Sequence, residues 1–241
     1  MFSGREIPPL ILYRHKIYKI FFTLLIFNFL GIATPSRGTG VGIVATDKGP
    51  SITQNTQGQP QVDIVQANSQ GLSHNHYSQF NVRQEGAVLN NESAKAHIIL
   101  NEVMGDTLSL LQGTIEVKGQ PADVIVANPN GIVCDGCGFI NTHHGILTTG
   151  RPIIENEKLT GLSITQGNIE IKKGGMSYRS TSIDLGSVAL IAMHVKIDGK
   201  IRGSYQEKEN TIKNIRVISG SNIDKDGQDA HKNTKKKKKN N

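Results

Sequence analysis

Two cysteines, Cys134 and Cys137, and two close pairs of histidines, His74/His76 and His143/His144, are the residues of this 241-residue chain whose types and spacing bear on chemistry. A Cys-x-x-Cys pair with Asp135-Gly136 between suits a small disulfide in a tight turn, closed in an oxidising compartment. Free thiols are one alternative. Another is a metal site that borrows His143 or His144, although the five residues between Cys137 and His143 are not a standard finger spacing. A thioredoxin-like pair needs a helix starting at the cysteines, whereas Gly138-Phe139-Ile140-Asn141 reads as strand. His74 and His76 invite metal or acid–base chemistry. No carboxylate constellation stands near them in the sequence, which favours a structural polar role. There is no nucleophile elbow, phosphate loop or HExxH stretch, and Asp63, Asp123, Asp184 and Asp198 are scattered. The chain is therefore not read as an enzyme, and no metal or cofactor is assigned to it.

The elements that must position these residues are short strands. Aromatic content is only 5%, tryptophan is absent and there are 26 glycines. A core must then be assembled from many small Val, Ile and Leu contributions, which suits stacked short strands better than a helical bundle. Runs such as Ala87 to Leu89, Leu108 to Val117, Asp123 to Ala127 and Ile146 to Thr148 alternate with Gly and Asn turns. After Leu159 the rhythm continues in LSITQ, NIEIKK, VALIAMHVKIDG and IRVISG. Three or four strands per repeat, with Asn and Gly at the corners, predict an all-β fold of β-solenoid type, favoured over a β-sandwich. Residues 34–60, rich in Gly, Thr, Gln and Pro, read as a loosely ordered lead-in.

The net charge of +7 sits at the ends. Residues 1–33 contribute +3 and the tail from Asp224 +4, while the body carries 16 basic and 16 acidic groups. A neutral body offers no phosphate-tracking face, so nucleic acid is not an expected partner. The apolar stretch Ile20 to Ile32, behind Arg14, Lys16 and Lys19, is too short to span a hydrocarbon core. With Gly31 and Ala33 at a peptidase-like site, it reads as a signal peptide over residues 1–33. Residues 34–220 form the body. Residues 221–241 read as a disordered Lys/Asn-rich tail, either a solvated charge run or the scar of a truncated longer reading frame.

Three clusters carry a family resemblance: Gly71-Leu72-Ser73-His74-Asn75-His76-Tyr77-Ser78-Gln79-Phe80-Asn81-Val82, then Ala122 to Ile132 with Asn128-Pro129-Asn130-Gly131-Ile132 at its end, then Cys134-Asp135-Gly136-Cys137-Gly138-Phe139-Ile140-Asn141-Thr142. Together they resemble the haemagglutination-activity, or two-partner secretion, domain of filamentous haemagglutinins, Serratia-type haemolysins and contact-dependent inhibition toxins, from about Gly42 to Gly220. The resemblance implies a right-handed parallel β-helix with an N-terminal cap and small extra β-elements. It implies export through the general secretory translocon, passage largely unfolded through the periplasm of a Gram-negative bacterium, and docking on an outer-membrane β-barrel transporter with periplasmic domains. Folding at the cell surface follows. Gly71, Leu72, Ser73, His74, Asn75, Phe80 and Asn81 would form the cap motif. Asn128, Pro129, Asn130, Gly131 and Ile132 would be a structural turn, a transporter contact, or both.

One departure stands out. Family members usually carry a second Asn-Pro-Asn segment where Leu89 to Ile98 here runs straight through. Two other functions are weighed: a domain that binds glycans on a host cell surface, and a secreted β-helix enzyme acting on polysaccharide. The latter needs clustered carboxylates in a cleft.

Overall fold

The computed structural model describes residues 42–180, 186–205, 208–210, 212, 214–220 and 223–224, within one compact unit spanning 40–241. The signal-peptide expectation for 1–33 and most of the Lys/Asn tail lie outside the described residues.

The described residues form strands and no helix. The chain opens with β1 (Ile43–Ala45), β2 (Ser51–Gln54), β3 (Pro60–Asp63) and the long β4 (Leu72–Phe80). It then winds through β5 (Ala87–Asn90), β6 (Ile98–Val103) and β7 (Ser109–Leu111), and repeats the circuit as β8 (Thr114–Lys118), β9 (Ala122–Ala127) and β10 (Ile132–Cys134). A third circuit is β11 (Cys137–Ile140) and β12 (Thr142–Thr148), interrupted by a hairpin of β13 (Arg151–Glu155) and β14 (Lys158–Ser163), and completed by β15 (Asn168–Ile171). A fourth is β16 (Met176–Ser180), β17 (Ser187–Ala192) and β18 (His194–Ile197), followed by β19 (Ile201–Tyr205), β20 (Lys208–Asn210), β21 (Asn214–Ser219) and β22 (Ile223–Asp224). Each circuit adds one parallel strand to each of three sheets. Their orders are β1-β4-β6-β9-β12-β17-β21 (the first sheet), β2-β3-β5-β8-β11-β16-β19-β20 (the second) and β18-β15-β10-β7 (the third). The architecture is a right-handed parallel β-helix, the hand that parallel crossovers take almost without exception.

Alternation explains the core. In Thr114–Lys118 the apolar Ile115 and Val117 point inward, buried, while Glu116 and Lys118 face solvent. Coil on coil, Ile115 stacks on Phe139 and Phe139 on Tyr178, all at most 1% exposed. On another face Val126, Leu147 and Leu190 form the same kind of column. Each such buried side chain contributes roughly 1.5–3 kcal/mol of apolar burial, and no single layer holds the fold.

Asparagines make one line of corners. Asn91 is fully buried and donates to the Ala96 and Gln120 carbonyls, 3.0 and 2.9 Å away. Two coils on, Asn141 takes a left-handed φ of 57° and donates to the Val117 and Gly119 carbonyls of the coil between. The Leu89 to Ile98 connection, which lacks the second Asn-Pro-Asn segment, is closed around Asn91, whose Oδ1 also accepts the Ala96 N–H at 2.7 Å.

Three expectations need correction. The lead-in is not structureless: β1 and β2 lie in it, paired antiparallel with β4 and β3, because backbone pairing with the first coil offsets the ordering of a polar segment. The Leu108 to Val117 run is two strands, since Gly113 turns tightly against the Arg83 carbonyl and any Cβ there would collide with it. In the tail, Ile223–Asp224 adds a strand to β14.

The apolar run Val124-Ile125-Val126 has a second cause besides the core. The β13–β14 hairpin folds over the outer face of the first sheet, where Leu72, Leu100, Ile125 and Ala127 are buried with Leu159 packed against them. Strands covered on both faces lose the polar alternation.

Candidate functional site

The Asn128–Ile132 segment is the corner between the first and third sheets. Asn128, fully buried, donates from Nδ2 to the Thr107 carbonyl at 3.0 Å and to Ser109 Oγ at 2.9 Å. Its Oδ1 accepts the Asn130 N–H at 3.0 Å, and Gly131 N–H closes the turn on the Asn128 carbonyl. Pro129 fixes its own φ and is buried. Gly131 sits at φ 122°, where a Cβ would also come within 3.1 Å of the Asn168 carbonyl. Asn130, half-exposed, reaches the Gly105 carbonyl at 2.8 Å. Ile132 starts the next core column against Ile169. The turn is clamped between the coil before it and the coil after it.

The cap motif is a buried polar network on β4. Ser73, Asn75, Tyr77 and Phe80 are fully buried. Ser73 Oγ donates to the Val65 carbonyl at 2.6 Å, and Asn75 Oδ1 accepts the Val65 N–H at 2.9 Å. Tyr77 donates its hydroxyl to Asn101 Oδ1 at 2.9 Å, and burial pushes its phenol far above the ordinary range. Its ring meets Phe80 edge-on. Asn81 Oδ1 accepts the Leu110 N–H at 2.7 Å. Gly71 has φ 76°, with the His97 ring where a Cβ would stand, and Leu72 belongs to the cluster under the hairpin.

Cys134 and Cys137 are bonded to each other across the corner between β10 and β11, with Cα atoms 5.2 Å apart. Gly136 takes a φ of 90° there, and Asp135 Oδ1 accepts the Gly174 N–H of the next coil at 2.8 Å. Neither sulfur serves a metal, and His144 is engaged elsewhere, 2.6 Å from Asp123 Oδ1. Ser187 follows His144 in the same row of the first sheet, but among the described residues no hydrogen bond joins the two.

His74 and His76 face outward from β4 with ring centroids 4.0 Å apart. The carboxylate that the linear sequence hid is Glu102, in register with His76 on the next coil. Its Oε2 lies 2.7 Å from His74 Nε2 and 3.9 Å from His76 Nε2. Burial lowers the His76 pKa, the neighbouring His74 ring adds to this, and Glu102 opposes it.

A family model described as the TPS secretion domain matches residues 41–241. The tRNA nuclease CdiA of Escherichia coli O6:K15:H31 (strain 536 / UPEC) is 37% identical over 212 residues, 78% of this chain and 6% of that protein. The haemolysin of Serratia marcescens is 40% identical over 221 residues, 81% of this chain and 13% of that protein. The crystal structure of a filamentous hemagglutinin secretion domain superposes with a TM-score of 0.66 at 32% identity, covering 77% of this chain and 66% of that one. The chain thus spans a small fraction of the curated relatives it matches. A clamped Asn-Pro-Asn-Gly corner, a polar cap network and a coil-by-coil core therefore belong to a secretion-targeting module, and the chain is a member of the TPS secretion domain family.

Proposed function

We propose that this domain heads an exported adhesin, haemolysin or contact-dependent inhibition toxin. In this reading it docks, before it folds, on an outer-membrane β-barrel transporter with periplasmic domains. The secreted or surface-displayed chain then folds coil by coil, each buried coil biasing it against sliding back. One observation carries the reading. In the folded helix Asn128, Pro129 and Ile132 are buried between neighbouring coils, so a transporter can read this segment only while the chain is unstacked. An extended segment with free backbone groups suits capture by strand addition. The cap motif fits the same sequence of events, since Asn75 reaches the Leu100 carbonyl and Tyr77 reaches Asn101 only once β4 and β6 pair.

The test is a staple between coils. Glu170 and Lys196 are paired neighbours on the outer face of β15 and β18, so Glu170→Cys with Lys196→Cys places two thiols at disulfide range. Trapping that bond in the periplasm should block export, and reduction should restore it. Normal export of the stapled form would refute recognition of the unfolded chain.

A further inference from the structure

We propose that His74, His76 and Glu102 form a binding site for a divalent transition metal of the zinc type, joining the cap strand to the coil stacked on it. The donors have the right chemistry: two imidazoles and one carboxylate suit zinc and its neighbours, whereas calcium and magnesium take oxygen ligands. They also have the right spacing. All three donor atoms lie within 4.8 Å of one another, while tetrahedral bonds of about 2.0–2.2 Å place ligands about 3.3 Å apart. Rotations about the side-chain bonds close that gap. Two histidines two apart on a strand share a face, and parallel pairing brings Glu102 alongside them.

The surroundings favour one site of defined occupancy. Glu102 is 8% exposed, so its carboxylate is sheltered from bulk water, whereas both imidazoles are partly open to solvent. Three protein ligands with an open fourth position leave room for water or an exogenous donor. The row that holds His76 and Glu102 continues as Ala127, Thr148 and Ile191. The ligand set is therefore confined to the cap strand and the coil stacked on it.

Position gives the site its consequence. His76 is also where the lead-in docks: Thr46 N–H donates to its carbonyl at 3.1 Å. A metal here would lock the lead-in, β4 and β6 together at the end of the helix that the remaining coils build upon. In the unstacked chain the histidines and Glu102 are not held together, so the ion binds the folded state preferentially and stabilises it in proportion to its concentration.

The experiment is titration of the purified, oxidised full chain, stripped with chelator, against zinc ion alone, followed by calorimetry and by thermal unfolding. One equivalent should bind saturably, with a dissociation constant below about 10 µM, and the unfolding temperature should rise with zinc. His76→Ala, His76→Gln and Glu102→Gln should each weaken binding by about tenfold or more, with circular dichroism confirming that they fold. The His143→Ala/His144→Ala double variant should bind as the parent does. X-ray absorption should show nitrogen and oxygen ligands with two imidazoles. Absence of saturable binding, or binding that survives in the folded His76 and Glu102 variants, overturns the site.

Discussion

Asn128 hydrogen-bonds Ser109 across the stack, Nδ2 to Oγ at 2.9 Å, and so fastens the corner of one coil to the start of a strand in the coil before it. The same nitrogen holds the Thr107 carbonyl at 3.0 Å. Asn128→Ala removes both donors from a fully buried site and should destabilise the domain by about 2–3 kcal/mol. Asn128→Asp keeps the acceptor for the Asn130 N–H but sets an oxygen against the Thr107 carbonyl, and should cost more than alanine. Urea unfolding of the two variants checks the order; a smaller loss for aspartate would mean that the Oδ1 acceptor, not the Nδ2 donor, holds the corner.

Gly131 is the backbone half of that corner. Its φ of 122° is essentially closed to other residues, and a Cβ would come within 3.1 Å of the Asn168 carbonyl. Gly131→Ala should cost about 1–3 kcal/mol. Gly42→Ala, where nothing lies within 4 Å of the added carbon, should stay within about 0.5 kcal/mol of the parent. Equal unfolding midpoints for the two variants would show that the corner accommodates a side chain.

How much of this was legible beforehand follows from which interactions are local. The Val/Ile runs, the Asn-Gly turns and the Cys134–Cys137 corner depend on residues a few positions apart, and they read directly from the chain. Glu102 did not, because its neighbours His74 and His76 are a full coil away and only the register brings them together. The cover over Ile125 was equally hidden. Leu159 packs on the outside of the first sheet, and nothing in the 151–163 segment announces that it leaves the helix and folds back. The β1 and β2 strands were missed because they are only three and four residues long, set among Gly, Thr and Gln, and are held by antiparallel pairing with β4 and β3.

The disulfide closes a very short loop, so its chain-entropy contribution is small, about 2 kcal/mol on the loop-closure scale. Reduction should leave the β-helix folded and lower its unfolding temperature by roughly 4–8 °C, taking about 2–4 °C per kcal/mol for a domain of this size. Scanning calorimetry with and without reductant measures the shift. Complete unfolding on reduction would mean that the core around Cys134 and Cys137 cannot close without the bond.

Tyr77 links stability to alkaline pH. Burial raises its phenol pKa well above the ordinary value, and burial raises that of Tyr178 as well. The folded state therefore keeps protons that the unfolded chain releases above about pH 10. With fewer protons bound in the unfolded state, stability is intact below that pH and falls as pH rises through it, by at most about 1.4 kcal/mol per pH unit for each tyrosine. Tyr77→Phe leaves Asn101 Oδ1 without its donor and should cost about 1–2 kcal/mol near neutral pH. The variant should also lose one share of the alkaline decline, so its deficit against the parent narrows as pH rises. Urea midpoints for both proteins from about pH 8 to about pH 11 test this; parallel curves would show that the Tyr77 hydroxyl reaches water by a local opening and that its burial carries no linkage.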